Sequence, residues 1–278
     1  MSDTLHYLYA FIPSSEYESR PPDEMEGIQK NASLQYLPLG SITAVTCHVH
    51  PDEFSEENLA KNTENMAWLQ EKAFHHHQMM NQLHKSYTVI PLKFGTIYTA
   101  IASLKAAVQE HEENILSLFQ ALQGKEEWNM KIYVKDDKFR EKVMAGNQEI
   151  EKKQQEIEQL SKGKQYFEKK KMGQFIEEQV KKEIETSCKQ VHQKLKIYSQ
   201  AEELKKNWGK KVTGKTDGMY WNSAYLLPRG EVEAFLETIK QEQAEASRKE
   251  TGLTFEVTGP WPAYHFSNFQ DRGVQHGT

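Results

Sequence analysis

The sequence predicts an α+β protein of two domains, and three observations carry that expectation. Over the first 135 residues the hydrophobic period switches between two and 3.6, so strands and helices are mixed. From 136 to about 211 apolar positions become sparse among Lys, Glu and Gln, which is the pattern of a solvated helical region. Beyond it a strand, an amphipathic helix and a second strand return. The charge divides in the same places: −7 over residues 1–135, +5 over 136–217 and −3 over 218–278.

The elements follow in order. "LHYLYAFI" places Leu5, Tyr7, Tyr9 and Phe11 on one face of a first strand. Residues 13–33, rich in Pro, Ser and Glu, read as a loop, and "GSITAVTCHV" as a second strand of β-branched residues. Ser55 can cap a helix whose stripe is Leu59, Met66, Leu69, Ala73, Met80 and Leu83. "YTVIPLKF" is a third strand, and its Pro91 suits an edge or a strand end. Ile101, Leu104, Val108, Ile115, Leu118 and Leu122 recur at helical spacing, and Gly124 is placed to end that helix. "EWNMKIYV" then alternates, with Trp128, Met130, Ile132 and Val134 inward.

The order β-β-α-β-α-β, with both helices on one face of the sheet, is close to a ferredoxin-like sandwich. A long loop or single turn stands in for its first crossover helix.

In the charged middle, Ile184, Cys188, Val191, Leu195 and Tyr198 step by four and three, a heptad-like seam. It suits a helical hairpin packed on the body, or a self-associating coiled coil. Gly163, in "SKGKQYFEKKK", is a candidate break between two helices. "MYWNSAYLL" is a strand. Val232, Phe235, Leu236 and Ile239 mark an amphipathic helix, and "GLTFEVTGPWPAYHF" is a strand entering an aromatic, proline-rich corner.

Little in the chain suggests catalysis. Two cysteines, Cys47 and Cys188, give no disulfide framework, which fits a reducing compartment. The N-terminal apolar run lacks a basic flank and reads as a strand, and no run of 18 apolar residues exists to span a membrane. "HHHQMMNQLH", His75 to His84, invites a metal reading. It lacks an i, i+4 histidine pair, so the expectation is histidines packed on the sheet or solvated. No phosphate-loop motif, nucleophile–base pairing or paired-carboxylate signature stands out, so no catalytic, cofactor or metal residue is assigned. The lysines of 162–171 lie among acids, which argues against nucleic acid.

Four stretches carry a resemblance. "YLYAFI", "VIPLKFGTIY", "GKQYFEKK" and "TGPWPAYHF" occur in the order found in the gas vesicle protein F/L family (GvpF/GvpL), which the chain resembles over about residues 5 to 269. Lys93 stands where the family's Leu-Pro-x-Arg-Phe-Gly-Thr signature has Arg, and a lysine cannot reproduce a bidentate Arg contact. Ala263 replaces a proline of the Gly-Pro-Trp-Pro-Pro-Tyr signature, and His76 falls where the family often has a histidine.

The resemblance implies a modified ferredoxin-like N-terminal domain joined to a C-terminal α/β domain with an added charged helical hairpin. In this chain these become residues 1–135 and 136–278, the latter with the hairpin over about 136–211 and a small α/β part over about 212–269. It also implies a non-enzymatic accessory protein required for gas vesicle assembly. Such a protein binds the hydrophobic shell protein GvpA and other accessory proteins, in the cytoplasm and in association with the vesicle. It uses no cofactor, no nucleic acid and no membrane. Two alternatives remain: a minor structural component of the wall, self-associating along the seam, and a nucleotide- or metal-binding enzyme using the histidines and Lys93. The oligomeric state is left open. The expected partner surface is the N-terminal sheet through Tyr7, Tyr9 and Phe11, together with Lys93, Phe94, Trp261 and Tyr264.

Overall fold

A computed structural model describes residues 4–268. The chain forms two units. Residues 1–127 with 260–278 make the first, and 128–259 the second. The division therefore falls eight residues before the expected boundary at 135, and the aromatic corner returns to the first unit.

The first unit begins with β1 (Leu5–Pro13) and a short α1 (Ser14–Ser19). A hairpin follows, β2 (Leu34–Leu39) and β3 (Ile42–Val49), turning at Gly40 with φ +69°. β2 is a strand that periodicity missed. It carries Pro38, and it lies at the edge of the sheet, where a missing N–H is tolerated. Next come α2 (Pro51–Phe54), α3 (Glu56–Thr63) and α4 (Met66–Ser86). One continuous helix was expected here. Instead the Asn65 side chain accepts from the N–H groups of Ala67 (3.1 Å) and Trp68 (3.4 Å) and starts a new helix. Met66 consequently leaves the apolar stripe and is exposed. β4 (Ile90–Pro91), β5 (Ile97–Tyr98), α5 (Ile101–Glu110) and α6 (Glu112–Leu122) complete this run. Gly124, at φ +70°, follows α6 as expected.

The sheet order is β2-β3-β1-β4, with β5 also pairing β1. β1 does not keep a strict alternation. Leu8 faces Thr46 but Ala10 faces Val45, so Tyr9 is an extra residue, a β-bulge. Parity reverses there. Tyr7, Tyr9, Ala10 and Ile12 join one core cluster with Val45, Cys47, Met80 and Leu83. Phe11, paired with Ala44, turns to the opposite face. The expectation that Phe11 shares a face with Tyr7 and Tyr9 is thereby corrected. α4 packs against β1, and α6 packs against β3 and β4. Both faces of the central strand are buried.

The second unit holds its own four-stranded sheet. β6 (Lys125–Val134) leads into it, followed by α7 (Asp136–Gly146), α8 (Gln148–Glu158) and the 35-residue α9 (Lys162–Lys196). Then come β7 (Ala201–Leu204), α10 (Lys210–Thr213), β8 (Gly218–Pro228), α11 (Val232–Arg248) and β9 (Leu253–Trp261). The strand order is β7-β8-β6-β9. β6 is a strand as read, with Met130, Ile132 and Val134 buried, but Tyr133, expected to face outward, is buried as well, and the strand belongs to this sheet and not to the first. The heptad seam of α9 is an internal surface. Ile184, Cys188, Val191 and Leu195 pack with Met130, Ile132, Tyr225 and Phe235. Burial pushes the Cys188 thiol up to about 12, so it behaves as a small apolar residue. α9 passes unbroken through Gly163, and the break lies just before it, at 159–161.

Candidate functional site

Three consecutive histidines of α4 organise the quoted motifs of the first unit. His76 is buried against β1. The Gly95 N–H donates to the Tyr7 hydroxyl (3.2 Å), and that hydroxyl is also hydrogen-bonded with His76 Nδ1 at 2.8 Å. Burial drives the His76 pKa down to about 4, opposed in part by a hydrogen bond to the Leu92 backbone carbonyl. The His76 ring stacks on Tyr9 (5.5 Å between centroids) and meets Phe94 edge-on (6.0 Å). His75 Nε2 lies 3.3 Å from the Tyr9 hydroxyl, to which Cys47 Sγ also donates.

The Lys-Phe-Gly-Thr stretch is the turn between β4 and β5, and it sits opposite the bulge. Leu92 N–H donates to Tyr9 C=O and Leu8 N–H to Thr96 C=O, both at 2.9 Å, so β1 bridges the two short strands. Thr96 closes the turn by donating from N–H and hydroxyl to Lys93 C=O (3.2 and 2.7 Å). Gly95 has φ +82°, and a Cβ there would come within 3.2 Å of Leu59. The turn thus delivers Phe94 into the cluster of Tyr7, Trp68 and His76. Lys93 is left exposed.

His77 receives the other motif. Its Nδ1 lies 3.2 Å from the Tyr264 hydroxyl, its ring is 5.3 Å from that of Trp261, and Asn81 bonds its Nε2 at 3.1 Å. The corner is locked by Glu127, which is 1% exposed. One carboxylate oxygen accepts from the His265 backbone N–H (2.8 Å) and the other from His265 Nδ1 (2.6 Å). Tyr264 N–H donates to Pro262 C=O (2.7 Å), Phe266 N–H to Ala263 C=O (3.2 Å), and Ser267 hydroxyl to Ala263 C=O (2.5 Å).

Lys72, one turn before this triplet, is equally enclosed. It donates to Ile28 C=O (3.1 Å) and pairs with Glu53 and Glu71, each at 3.3 Å.

The structure thus brings Tyr7, Tyr9, Phe94, Trp261 and Tyr264 around His75–His77, leaves Lys93 on the rim, and sends Phe11 to the other side of the sheet. Tyr7, Tyr9 and Phe11 are at most 1% exposed, so none presents a surface to a partner. The reason is physical: β1 is an interior strand of its sheet and is buried along its length. Sequence reasoning missed the Glu127–His265 clamp, because 138 residues separate the pair. Among the described residues, no group of three His, Cys, Asp or Glu side chains converges as metal ligands, and no helix is long and apolar enough to cross a membrane.

A family model described as gas vesicle synthesis protein GvpL/GvpF matches residues 5–268. Gas vesicle protein L of a Streptomyces species is 22% identical over 273 residues, which is 98% of this chain and 96% of that protein. The crystal structure of GvpF from an Anabaena species superposes with a TM-score of 0.69 at 19% identity, covering 97% of this chain and all of that one. GvpF from Microcystis aeruginosa gives 0.62 at 18% identity, covering 96% and 100%. These solved structures share the two-sheet α+β fold.

Proposed function

The chain belongs to the gas vesicle synthesis protein GvpL/GvpF family, and on that premise we propose that it is a non-enzymatic accessory protein of gas vesicle assembly, acting in the cytoplasm by binding the hydrophobic shell protein GvpA and further accessory proteins. The observation that carries the reading is the extent of the family match, 5–268, which spans both units. The side chains with the most reactive character support it. His75, His76, His77 and Lys72 are engaged with groups of the chain itself, and the aromatic rings around them form a core. A shell subunit with a large apolar face needs a soluble partner before it enters the wall, and a polar chain with a few accessible aromatic edges can serve.

The contact surface lies on the first unit, around exposed Lys93 and the half-buried edges of Phe94, Trp261 and Tyr264. Deletion of the gene from its cluster, with polar effects excluded, abolishes or impairs vesicle formation on this reading. Normal vesicles would overturn it. Within that reading, Lys93→Glu weakens capture of purified GvpA by the full chain while leaving its thermal melt unchanged. Undiminished capture by this variant would displace the surface from Lys93.

A further inference from the structure

The helical motif "GKQYFEKK" has no part in either core. It opens α9, immediately after the turn from α8. The buried seam of α9 runs from Met172 through Ile176, Val180 and Ile184 to Leu195, and two rings of the motif lie off it. Tyr166 is 71% and Phe167 66% exposed, and they touch edge-to-face at 5.7 Å. Rings this large in water signal a contact surface when something rims them. Here lysines do. Lys170 lies four residues after Tyr166 and three after Phe167, Lys169 three after Tyr166, and Lys164 three before Phe167. All three therefore neighbour the rings on the helix surface. Among the described residues no carboxylate pairs with Lys164, Lys169 or Lys170, whereas Lys171 is held by Glu168 at 2.8 Å.

The complementary surface is on the same polypeptide. In the first unit the exposed side of α4 carries Phe74 at 60% and Met66 at 72% exposure. Glu64 and Gln70 stand exposed beside them, as does Glu71, which also pairs with Lys72. Residues 1–135 carry a net −7 and residues 136–217 a net +5. Lysine-ringed aromatics match an apolar strip flanked by carboxylates in both chemistry and sign.

We propose that the Tyr166–Phe167 tip of one copy docks on the Met66–Phe74 strip of α4 in a second copy, so that copies associate head to tail. Such a contact uses two different patches, so it leaves one of each free on a dimer and permits further addition. The attraction is between exposed charges and weakens with salt.

The test is analytical ultracentrifugation of the full chain over a wide concentration range at low and high salt. The expected result is concentration-dependent association, weakened by salt and reduced about tenfold or more in Tyr166→Ser/Phe167→Ser, a pair exposed enough to leave folding intact. Two charge variants fix the geometry. Lys169→Glu/Lys170→Glu and Glu64→Lys/Gln70→Lys each remain monomeric alone, but mixed they associate in alternation, because the acidic tip of one meets the basic strip of the other and the two unchanged patches also match. A wild-type chain that stays monomeric at low salt overturns the proposal, as does association indifferent to the tip variants. A monomer that binds vesicles of anionic lipid through Tyr166 and Phe167 also overturns it, and assigns the tip to a lipid surface.

Discussion

Removing the His265 side chain leaves half of the Glu127 carboxylate unpaired inside the first unit. Losing a hydrogen bond to a buried charged group costs about 1.5–3 kcal/mol. His265→Ala is therefore expected to lower the urea midpoint strongly without changing the slope of the transition. A loss within about 0.5 kcal/mol would mean that the backbone N–H alone satisfies the carboxylate. His76 makes a prediction of a different kind. An ordinary histidine titrates near 6.5, and burial holds this one near 4. Between these values the unfolded chain binds more protons, so stability is complete above 6.5 and falls as the pH drops toward 4. Below 4 this residue subtracts nothing further. The span corresponds to about 3 kcal/mol at most. Burial also lowers His6, His75 and His192, which steepens the same limb. Urea midpoints of His76→Phe should show a shallower fall between pH 6.5 and 4. An identical slope would remove His76 as its source.

The elements were legible wherever local pattern decides them. β6, β8 and α11 are read as elements of the right type, because strand-forming runs and a helical stripe are local signals. The errors have local physical causes. Pro38 disguises β2, Asn65 divides a stripe that continues across it, and the Tyr9 bulge inverts the side on which Phe11 lies. Assigning a strand to a sheet is non-local, so β6 looked like the fourth strand of the first sheet. The site was legible as motifs and not as contacts. Nothing in "HHHQ" says which histidine meets which aromatic residue. The α9 seam was visible as a heptad, and its environment was not. Leu195→Ala, at 0% exposure, should cost about 2–5 kcal/mol. Ile197→Ala two residues on, at 75% exposure, should stay within about 0.5 kcal/mol. Equal effects in thermal denaturation would show that the seam is not packed as described.

At the scale of the molecule, the second unit is an insertion: the chain leaves the first unit after Glu127 and comes back at Pro260. A fragment ending at 135 would thus lose the corner that covers His77 and would separate β6 from its sheet. This arrangement also sets a timetable for synthesis. A chain made from its N-terminus buries Glu127 only after His265 has been added, 138 residues later. At about 5–20 residues per second that interval lasts roughly 7–28 s. All of residues 128–259 are translated within it, so the second unit has its full sequence while the first still lacks its closing segment. Ribosome-bound chains released at 259 should therefore show a protease-resistant second unit and a sensitive first one, and release at 268 should protect both. Equal resistance of the first unit at both lengths would mean that the corner is dispensable to it. Otherwise the last part of the chain to be made decides when the earliest part becomes durable, and a truncated product presents a finished insertion within an unsealed host.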